Sequence, residues 1–140
     1  MTVPATMMAL RAHARGGAEQ LIFEQAPVPV PGQGEALLEV HAAGITFAEL
    51  TWDPTWTTRD GRDRTPVIPS HEVSGVVRGL AENARGRSIG QEVYGLIAFG
   101  RNGAAADYVT APAADLAGRA RYPTCRPRRC PWPRSRPGRR

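Results

Sequence analysis

Short stretches in which hydrophobic and polar residues alternate recur along the first 110 positions of the chain. A period of two is typical of β-strands that bury one face. The stretches that predict strands begin at Leu10 and continue through residues 21–24, 35–42, 73–77, 90–97 and 104–110. Many short strands separated by turn residues favour a mainly β fold, such as a small barrel or sandwich.

The same alternation predicts which side chains face the core. The side chains expected on buried faces are Leu10, Ala12 and Ala14 in the first strand and Ala36, Leu38 and Val40 in the third. Residues 27–31, which contain three prolines, cannot donate ladder hydrogen bonds, so they should lie at an edge or outside the sheet. A short helical segment is expected after Thr46, followed by a polar loop at residues 51–65 that holds Trp52 and Trp56.

Length and composition allow one domain with one core. No apolar run approaches the roughly 20 residues of a membrane span, and the N-terminus lacks a leader pattern, so we expect a cytoplasmic protein without a membrane partner. The net charge is +5, but residues 1–118 carry nine arginines against thirteen carboxylates, a net charge of −4. The basic character therefore belongs to the C-terminal segment alone.

That segment, residues 118–140, contains nine arginines, five prolines and no acidic residue. Such a composition cannot bury a core, which predicts disorder. Cys125 and Cys130 lie within it and are poor evidence for a disulfide or a metal site. The expected organisation is a flexible lead at residues 1–7, a folded domain at 8–117 and a disordered tail at 118–140.

A frameshift offers an explanation for the tail. Arginine, proline, alanine and glycine dominate out-of-frame readings of GC-rich DNA, and the chain contains eighteen arginines and no lysine. Joining the third base of each codon to the next two allows residues 130–139 to encode Leu-Pro-Leu-Ala-Ala-Leu-Thr-Ala-Trp-Gln. The hypothesis is that the reading frame changes near Ala117, and it fails if every shifted frame of the gene closes at once.

Three motifs in the folded part carry a family resemblance: HEVSGVV at residues 71–77, EVYG at residues 92–95 and GAAADYV at residues 103–109. In this order they resemble the medium-chain dehydrogenase/reductase superfamily, and within it the N-terminal GroES-like domain of the zinc-free quinone oxidoreductases. The resemblance covers roughly residues 8–117. It implies a GroES-like β-barrel and the reduction of quinones, enones or related carbonyl compounds with NADPH.

The resemblance also implies that the cofactor-binding Rossmann domain follows the point where this sequence stops. Gly32-x-Gly34 is no substitute, because Leu37 replaces the third glycine and a predicted strand follows instead of a helix. Family barrels are completed by C-terminal residues, so a truncated barrel with an exposed apolar face, inactive alone, is expected. Family members are often homodimers, which is not expected for this chain.

Candidate site residues are Thr46, Glu49, Trp52, His71 and Glu72. Thr46 and Glu49 fit a capping box, in which their side chains satisfy backbone N–H groups at a helix start. The resemblance places Thr46 beside nicotinamide and substrate, and Trp52 where family members line the substrate pocket with tyrosine. The alternative for Trp52 is packing of its loop onto the barrel. His71 and Glu72 open a strand. Either His71 is a structural histidine hydrogen-bonded to the barrel, or both residues face the active-site cleft as remnants of a metal site.

No zinc is expected, although the position of His71 binds catalytic zinc in the zinc-dependent branch of the family. Residues 1–118 contain no cysteine, and Thr46 stands where that branch has a cysteine ligand. The thiolate-rich site that zinc prefers cannot be built from them.

Two other functions remain open from the sequence. A non-catalytic barrel could bind nucleic acid or an acidic partner through its basic tail, with an affinity that falls steeply with salt. A ring-forming co-chaperonin is the third interpretation, but the motifs around His71 and Tyr94 favour the dehydrogenase branch.

Overall fold

The structure, a computed structural model, describes residues 2–45 and 48–118. It confirms the predicted mainly β fold. The strands are β1 Thr6–Ala12, β2 Leu21–Pro27, β3 Glu35–Gly44, β4 Glu72–Leu80, β5 Glu92–Leu96, β6 Tyr108–Pro112 and β7 Leu116–Gly118. The helical segments are α1 Asp53–Trp56 and the single 3-10 turns Ala18–Gln20, Glu49–Thr51 and Ala113–Asp115. Residues 28–33 lie outside the sheets, as the prolines predict.

The strands form two antiparallel sheets. β1 and β2 make a two-stranded sheet, and the larger sheet has the order β6-β3-β4-β5-β7. Isolated backbone contacts attach β1 to the rest of the fold: Ala12 exchanges hydrogen bonds with Val67 at 2.9 and 3.0 Å, and the Leu10 N–H donates to the Ala105 carbonyl at 2.8 Å. Through these contacts the β1–β2 hairpin packs against the rest of the fold, which an isolated two-stranded sheet would need for stability.

The main core lies on the inner face of the larger sheet. It consists of Ala36, Leu38, Val73, Val77, Val93, Ile97, Ala104, Val109, Ala111, Ala113 and Leu116. Ala36 and Leu38 are fully buried, as the alternation of β3 predicts, and Val40 packs partly buried against the same cluster. Full burial of a residue such as Leu38 contributes about 1.5–3 kcal/mol.

The first strand differs from the prediction. β1 begins at Thr6, inside the segment predicted to be a flexible lead, and Met7 and Ala9 are buried. Leu10 is 36% exposed, and Ala14 lies exposed beyond the strand. The physical reason is that β1 packs through Met7 and Ala9 against Ile68, so the partner surface, and not the longest alternating run, sets the buried face.

The last long strand is also shifted. The prediction was a strand over residues 104–110, whereas β6 spans Tyr108–Pro112. Residues 103–105 instead pair with the segment before β4 through the Ala104 N–H to the Ser70 carbonyl, 2.5 Å, and the Ala105 N–H to the Pro69 carbonyl, 3.0 Å. This segment therefore lines the region in which the candidate site residues lie.

The predicted polar loop at residues 51–65 contains a folded core of its own. Trp56, at the end of α1, is buried beside Leu50 and Val67, and its indole N–H donates to the Leu50 carbonyl at 2.7 Å. The Thr55 hydroxyl donates to the Glu49 carbonyl at 2.6 Å. The loop is consequently anchored close to Glu49 and Trp52.

An ion pair joins the loop after β5 to β3. Arg101 Nη1 lies 2.6 Å from Glu35 Oε1, and the hydrogen bond from Arg101 holds the pKa of the Glu35 carboxyl below its ordinary range. A folded-state pKa below the unfolded value gives stability that is present above about pH 4.3 and is lost as the pH falls through the folded pKa.

Arg101→Met should therefore destabilise the chain at pH 7 by up to about 1 kcal/mol, because the pair is partly solvated. The difference from wild type should shrink below pH 4. Urea denaturation at pH 7 and pH 3.5 measures it, with the exposed Arg85→Met as the control. An equal loss at both pH values would show that the arginine acts by packing instead of charge.

Candidate functional site

Glu49, Trp52, His71 and Phe99 meet at one end of the larger sheet. Glu49 begins the 3-10 turn Glu49–Thr51, Trp52 follows that turn, His71 immediately precedes β4, and Phe99 lies in the loop after β5. We call Glu49, His71, Trp52 and Phe99 the ring cluster. Three separate segments thus supply it.

Glu49 is the buried carboxylate of the ring cluster, 3% exposed. Its Oε1 accepts a hydrogen bond from the Ser70 N–H at 2.8 Å, and its Oε2 lies 3.1 Å from His71 Nε2. The predicted capping box is therefore wrong for Glu49: its carboxylate serves the segment before β4, and the residue before the turn, Ala48, provides no side-chain cap. A buried carboxylate is destabilising unless it accepts hydrogen bonds. The hydrogen bond from the Ser70 N–H therefore offsets part of the cost of burying Glu49.

Ser70 adopts a left-handed backbone conformation, with φ of 73°. This region is uncommon for residues other than glycine and marks stored strain. Both peptide groups of Ser70 are fixed, because its N–H donates to Glu49 and its carbonyl accepts from Ala104. The buried carboxylate thus holds the turn that orients His71.

His71 is 1% exposed. Its carbonyl accepts a hydrogen bond from the Ile97 N–H at 2.7 Å, and its ring lies 4.6 Å from the Phe99 ring at an angle of 55°. The approach to Glu49 Oε2 lacks hydrogen-bond geometry, so that oxygen and His71 Nδ1 are buried without a hydrogen-bond partner among residues 2–45 and 48–118. Both atoms retain capacity for a further polar contact.

Trp52 forms the outer end of the ring cluster. Its ring centroid lies 5.4 Å from that of Phe99, at 71°, an edge-to-face arrangement, and the residue is 39% exposed. The rings therefore run from the half-exposed indole through Phe99 to the buried imidazole. Edge-to-face contacts of this kind are favourable beyond the area that they bury.

Arg64 joins two of the contributing loops. Its Nη1 donates to the carbonyls of Pro54 at 3.2 Å, Thr55 at 2.5 Å and Phe99 at 3.3 Å. Burial lowers the pKa of the guanidinium from its ordinary value. The Arg64 side chain therefore connects the backbone segments that carry the Trp52 and Phe99 rings.

Glu72 does not join the ring cluster. It is the first residue of β4 and exposed, and it lines an open groove of about 700 Å³ with Tyr94 and Leu96. His71, immediately before β4, is 1% exposed and does not line this groove. The interpretation in which both face one cleft is therefore wrong. Tyr94 and Leu96 are exposed side chains of the groove.

Thr46 and the tail beyond Gly118 lie outside the described residues. Among the residues described, no group of three His, Cys, Asp or Glu side chains could hold a metal ion. His71 Nε2 lies 3.1 Å from Glu49 and the Phe99 ring packs against the imidazole, so these side chains by themselves supply too few ligands for a zinc site, which takes at least three from the protein.

An apolar cavity of about 360 Å³ adjoins the site. Glu49 and Ser70 contribute to its wall, but Trp52, Phe99 and His71 do not. Its apolar lining includes Leu10, Leu21, Ile45, Ala48, Leu50 and Ala105. The cavity and the ring cluster thus share only the segment around Glu49 and Ser70.

Sequence reasoning did not identify Phe99, Arg64 or the conformation of Ser70. Phe99 stands alone in a segment rich in glycine and alanine, and Arg64 is one of three arginines in a polar loop. No periodicity marks either residue. Their roles depend on contacts between segments that lie far apart in the chain.

Comparison with known proteins agrees with this fold. Residues 32–120 match the alcohol dehydrogenase GroES-like domain. The chain therefore belongs to this domain family. Domains of this family occur in the oxidoreductases of the medium-chain dehydrogenase/reductase superfamily.

Two curated relatives match part of the chain. An alcohol dehydrogenase of Schizosaccharomyces pombe is 32% identical over 94 residues, which are 66% of this chain and 26% of the relative. The synaptic vesicle membrane protein VAT-1 homolog-like of Mus musculus is 32% identical over 84 residues, 60% of this chain and 20% of the relative. The chain thus spans about a quarter of these relatives.

Solved structures share the fold. The quinone oxidoreductase from Coxiella burnetii superposes with a TM-score of 0.71 at 21% identity, covering 81% of this chain and 37% of that chain. A mycobacterial quinone oxidoreductase superposes with a TM-score of 0.65 at 28% identity, covering 80% and 33%. Within the described residues, no helix is long and apolar enough to cross a membrane.

Proposed function

We propose that this chain is the substrate-side domain of an NADPH-dependent oxidoreductase that reduces quinones, enones or related carbonyl compounds by hydride transfer. The observation that carries the proposal is the series of rings from half-exposed Trp52 through Phe99 to buried His71. Aromatic surfaces bind flat conjugated molecules by stacking and apolar contact. A quinone is such a molecule, and its carbonyl oxygens accept hydrogen bonds.

Relatives support the substrate class. Among the solved structures with this fold is a mycobacterial quinone oxidoreductase, 28% identical to this chain. The alternative substrate class in the family, an alcohol oxidised at a zinc ion, finds less support, because the Phe99 ring and Glu49 occupy the surroundings of His71. The quinone or enone class is therefore the proposed one.

NADPH supplies the hydride when it is bound, and the protein supplies orientation and a dry surface. The described residues do not fit the nucleotide itself. The Gly32-x-Gly34 turn leads directly into β3, whereas dinucleotide phosphates bind where a glycine-rich turn opens a helix. In the proposal these residues therefore contribute the substrate wall alone.

The proposed work of this wall is binding and orientation. Trp52 and Phe99 hold the flat face of the substrate, and the Glu49–Ser70 contact keeps His71 and its Phe99 neighbour in place. No exposed acid of the ring cluster is positioned to donate a proton, since Glu49 is buried against Ser70 and His71. Protons for the reduced product are therefore proposed to come from water.

Trp52→Ala should weaken the binding of menadione, a simple naphthoquinone, to the purified 140-residue chain by about three- to tenfold. The estimate corresponds to the loss of one aromatic contact, about 0.5–1.5 kcal/mol. Equilibrium dialysis measures the dissociation constant without relying on tryptophan emission.

Phe23→Ala is the matched control, because Phe23 is an exposed aromatic residue of β2 outside the ring cluster. It should bind menadione as wild type does. Equal weakening in both variants, or no measurable binding by the wild-type chain, would contradict the proposed site.

A further inference from the structure

Arg64 is a partly buried arginine whose recorded hydrogen bonds all go to main-chain carbonyls. Nη1 reaches Pro54 and Thr55 on one side and Phe99 on the other. Its own backbone is fixed as well, since the Arg64 N–H donates to the Trp56 carbonyl at 2.9 Å. The side chain is therefore anchored at its base and joins two loops at its end.

The acidic residues nearest in sequence are engaged elsewhere. Asp53 pairs with Arg15 and Asp60 with Arg62, and Asp63 Oδ1 accepts from the Thr65 N–H and hydroxyl. Within the described residues no carboxylate forms an ion pair with Arg64. Its charge is directed at carbonyl oxygens, and hydrogen bonds with one charged partner are about twice as strong as neutral ones.

The two loops that Arg64 joins carry the two outer rings of the ring cluster. Pro54 and Thr55 belong to α1, which begins directly after Trp52. Phe99 supplies both the third carbonyl and the ring that Trp52 contacts edge-to-face at 5.4 Å. Because the same side chain holds both backbones, it limits how far the two rings can separate.

We propose that Arg64 is a positioning residue that sets the spacing of Trp52 and Phe99 and thereby makes the ring cluster selective for flat ligands. This inference rests on the function proposed above. Loss of the guanidinium lets the loop that carries Trp52 move away from Phe99. The indole becomes more exposed, and the surface that matches a planar ring is lost.

The experiment compares the full chain with Arg64→Met, Arg64→Lys and the control Arg62→Met. Arg62 lies two residues away in the same loop, is 81% exposed and pairs only with Asp60 among the recorded ion pairs. The first measurement is acrylamide quenching of Trp52, obtained for each protein as the difference from the same protein carrying Trp52→Phe. The second is the dissociation constant of menadione by equilibrium dialysis, and circular dichroism confirms that each variant is folded.

Arg64→Met should raise the quenching constant of Trp52 about twofold and weaken menadione binding about tenfold, the change expected from the loss of a charge-assisted contact. Arg64→Lys keeps a charged donor on a different geometry and should give an intermediate effect. Methylguanidinium added to Arg64→Met should restore both measurements, and Arg62→Met should change neither. If Arg64→Met does not fold, the comparison rests on Arg64→Lys.

Unchanged Trp52 quenching in a folded Arg64 variant overturns the positioning role. Increased quenching with unchanged menadione affinity shows that Arg64 connects the loops without affecting the ligand, which also overturns the inference. If the wild-type chain does not bind menadione while Trp52 still responds to Arg64→Met, the proposed ligand class fails and the contact between the loops survives. The two proposals therefore fail in distinguishable ways.

Discussion

Replacement of Glu49 by alanine should destabilise the chain by about 3–5 kcal/mol, the usual cost of removing one member of a buried polar pair. The change leaves the Ser70 N–H without its acceptor in a strained, buried turn, and it leaves His71 Nε2 without its acidic neighbour. Because domains of this size are stable by roughly 5–15 kcal/mol in total, much of the folded population could be lost. The shift of the urea denaturation midpoint measures the effect.

Glu49→Gln separates the two contacts of the carboxylate. Its amide oxygen can still accept from Ser70, so the loss should be smaller, about 1–2 kcal/mol. Glu82→Ala, at an exposed carboxylate after β4, is the control and should stay within about 0.5 kcal/mol of wild type. A Glu49→Ala protein as stable as this control would mean that the buried carboxylate does not hold the turn before β4.

Gly103→Ala is expected to have the second largest effect, about 3 kcal/mol of destabilisation. A Cβ at Gly103 would collide with the carbonyl oxygens of Pro69 and Ser70. These are backbone atoms that cannot rotate away, and the Gly103 N–H is itself bonded to the Ile68 carbonyl at 2.7 Å. The added methyl group would therefore push the backbone at Gly103 away from the backbone at Pro69 and Ser70.

Gly79→Ala is the matched control within β4. A Cβ there meets its nearest neighbour, Leu37 Cβ, at 3.5 Å, an ordinary contact. The variant should unfold within about 1 kcal/mol of wild type. Comparable midpoints for the two variants in urea would contradict the close approach at Gly103. A selective loss in Gly103→Ala, accompanied by increased quenching of Trp52, would extend its effect to the ring cluster.

The alternation of hydrophobic and polar side chains predicted the strands that bury one face. In β3 the pattern predicted the strand and the burial of Ala36 and Leu38, although Leu37 between them is also buried and the pairing with β4 contains two register shifts. In β1 the predicted burial of Ala12 is confirmed, but Leu10 is exposed, because the first half of the strand packs on Ile68 through Met7 and Ala9. The local sequence pattern of β1 does not show where that partner lies.

The candidate site divides in the same way. From the sequence, Glu49, Trp52 and His71 were candidates because of the family resemblance and, for Glu49, because of the Thr46-x-x-Glu49 spacing. As remnants of a metal site, His71 and Glu72 were also expected to face one cleft, whereas His71 is buried before β4 and Glu72, the first residue of β4, is exposed. Adjacency in sequence and proximity in space are different properties within a β-strand.

By itself, the sequence determined the mainly β fold and, through its motifs, the family. Those properties follow from local periodicity and from motifs within a few residues. Only the tertiary structure decided that Glu49 serves Ser70 and faces His71, that Phe99 bridges His71 to Trp52, and that Arg64 connects the loops beneath them. Apart from the contacts of Arg64 with Pro54 and Thr55, these contacts join residues 21 to 47 positions apart. At such separations the packing of the sheet brings side chains together, which no local pattern encodes.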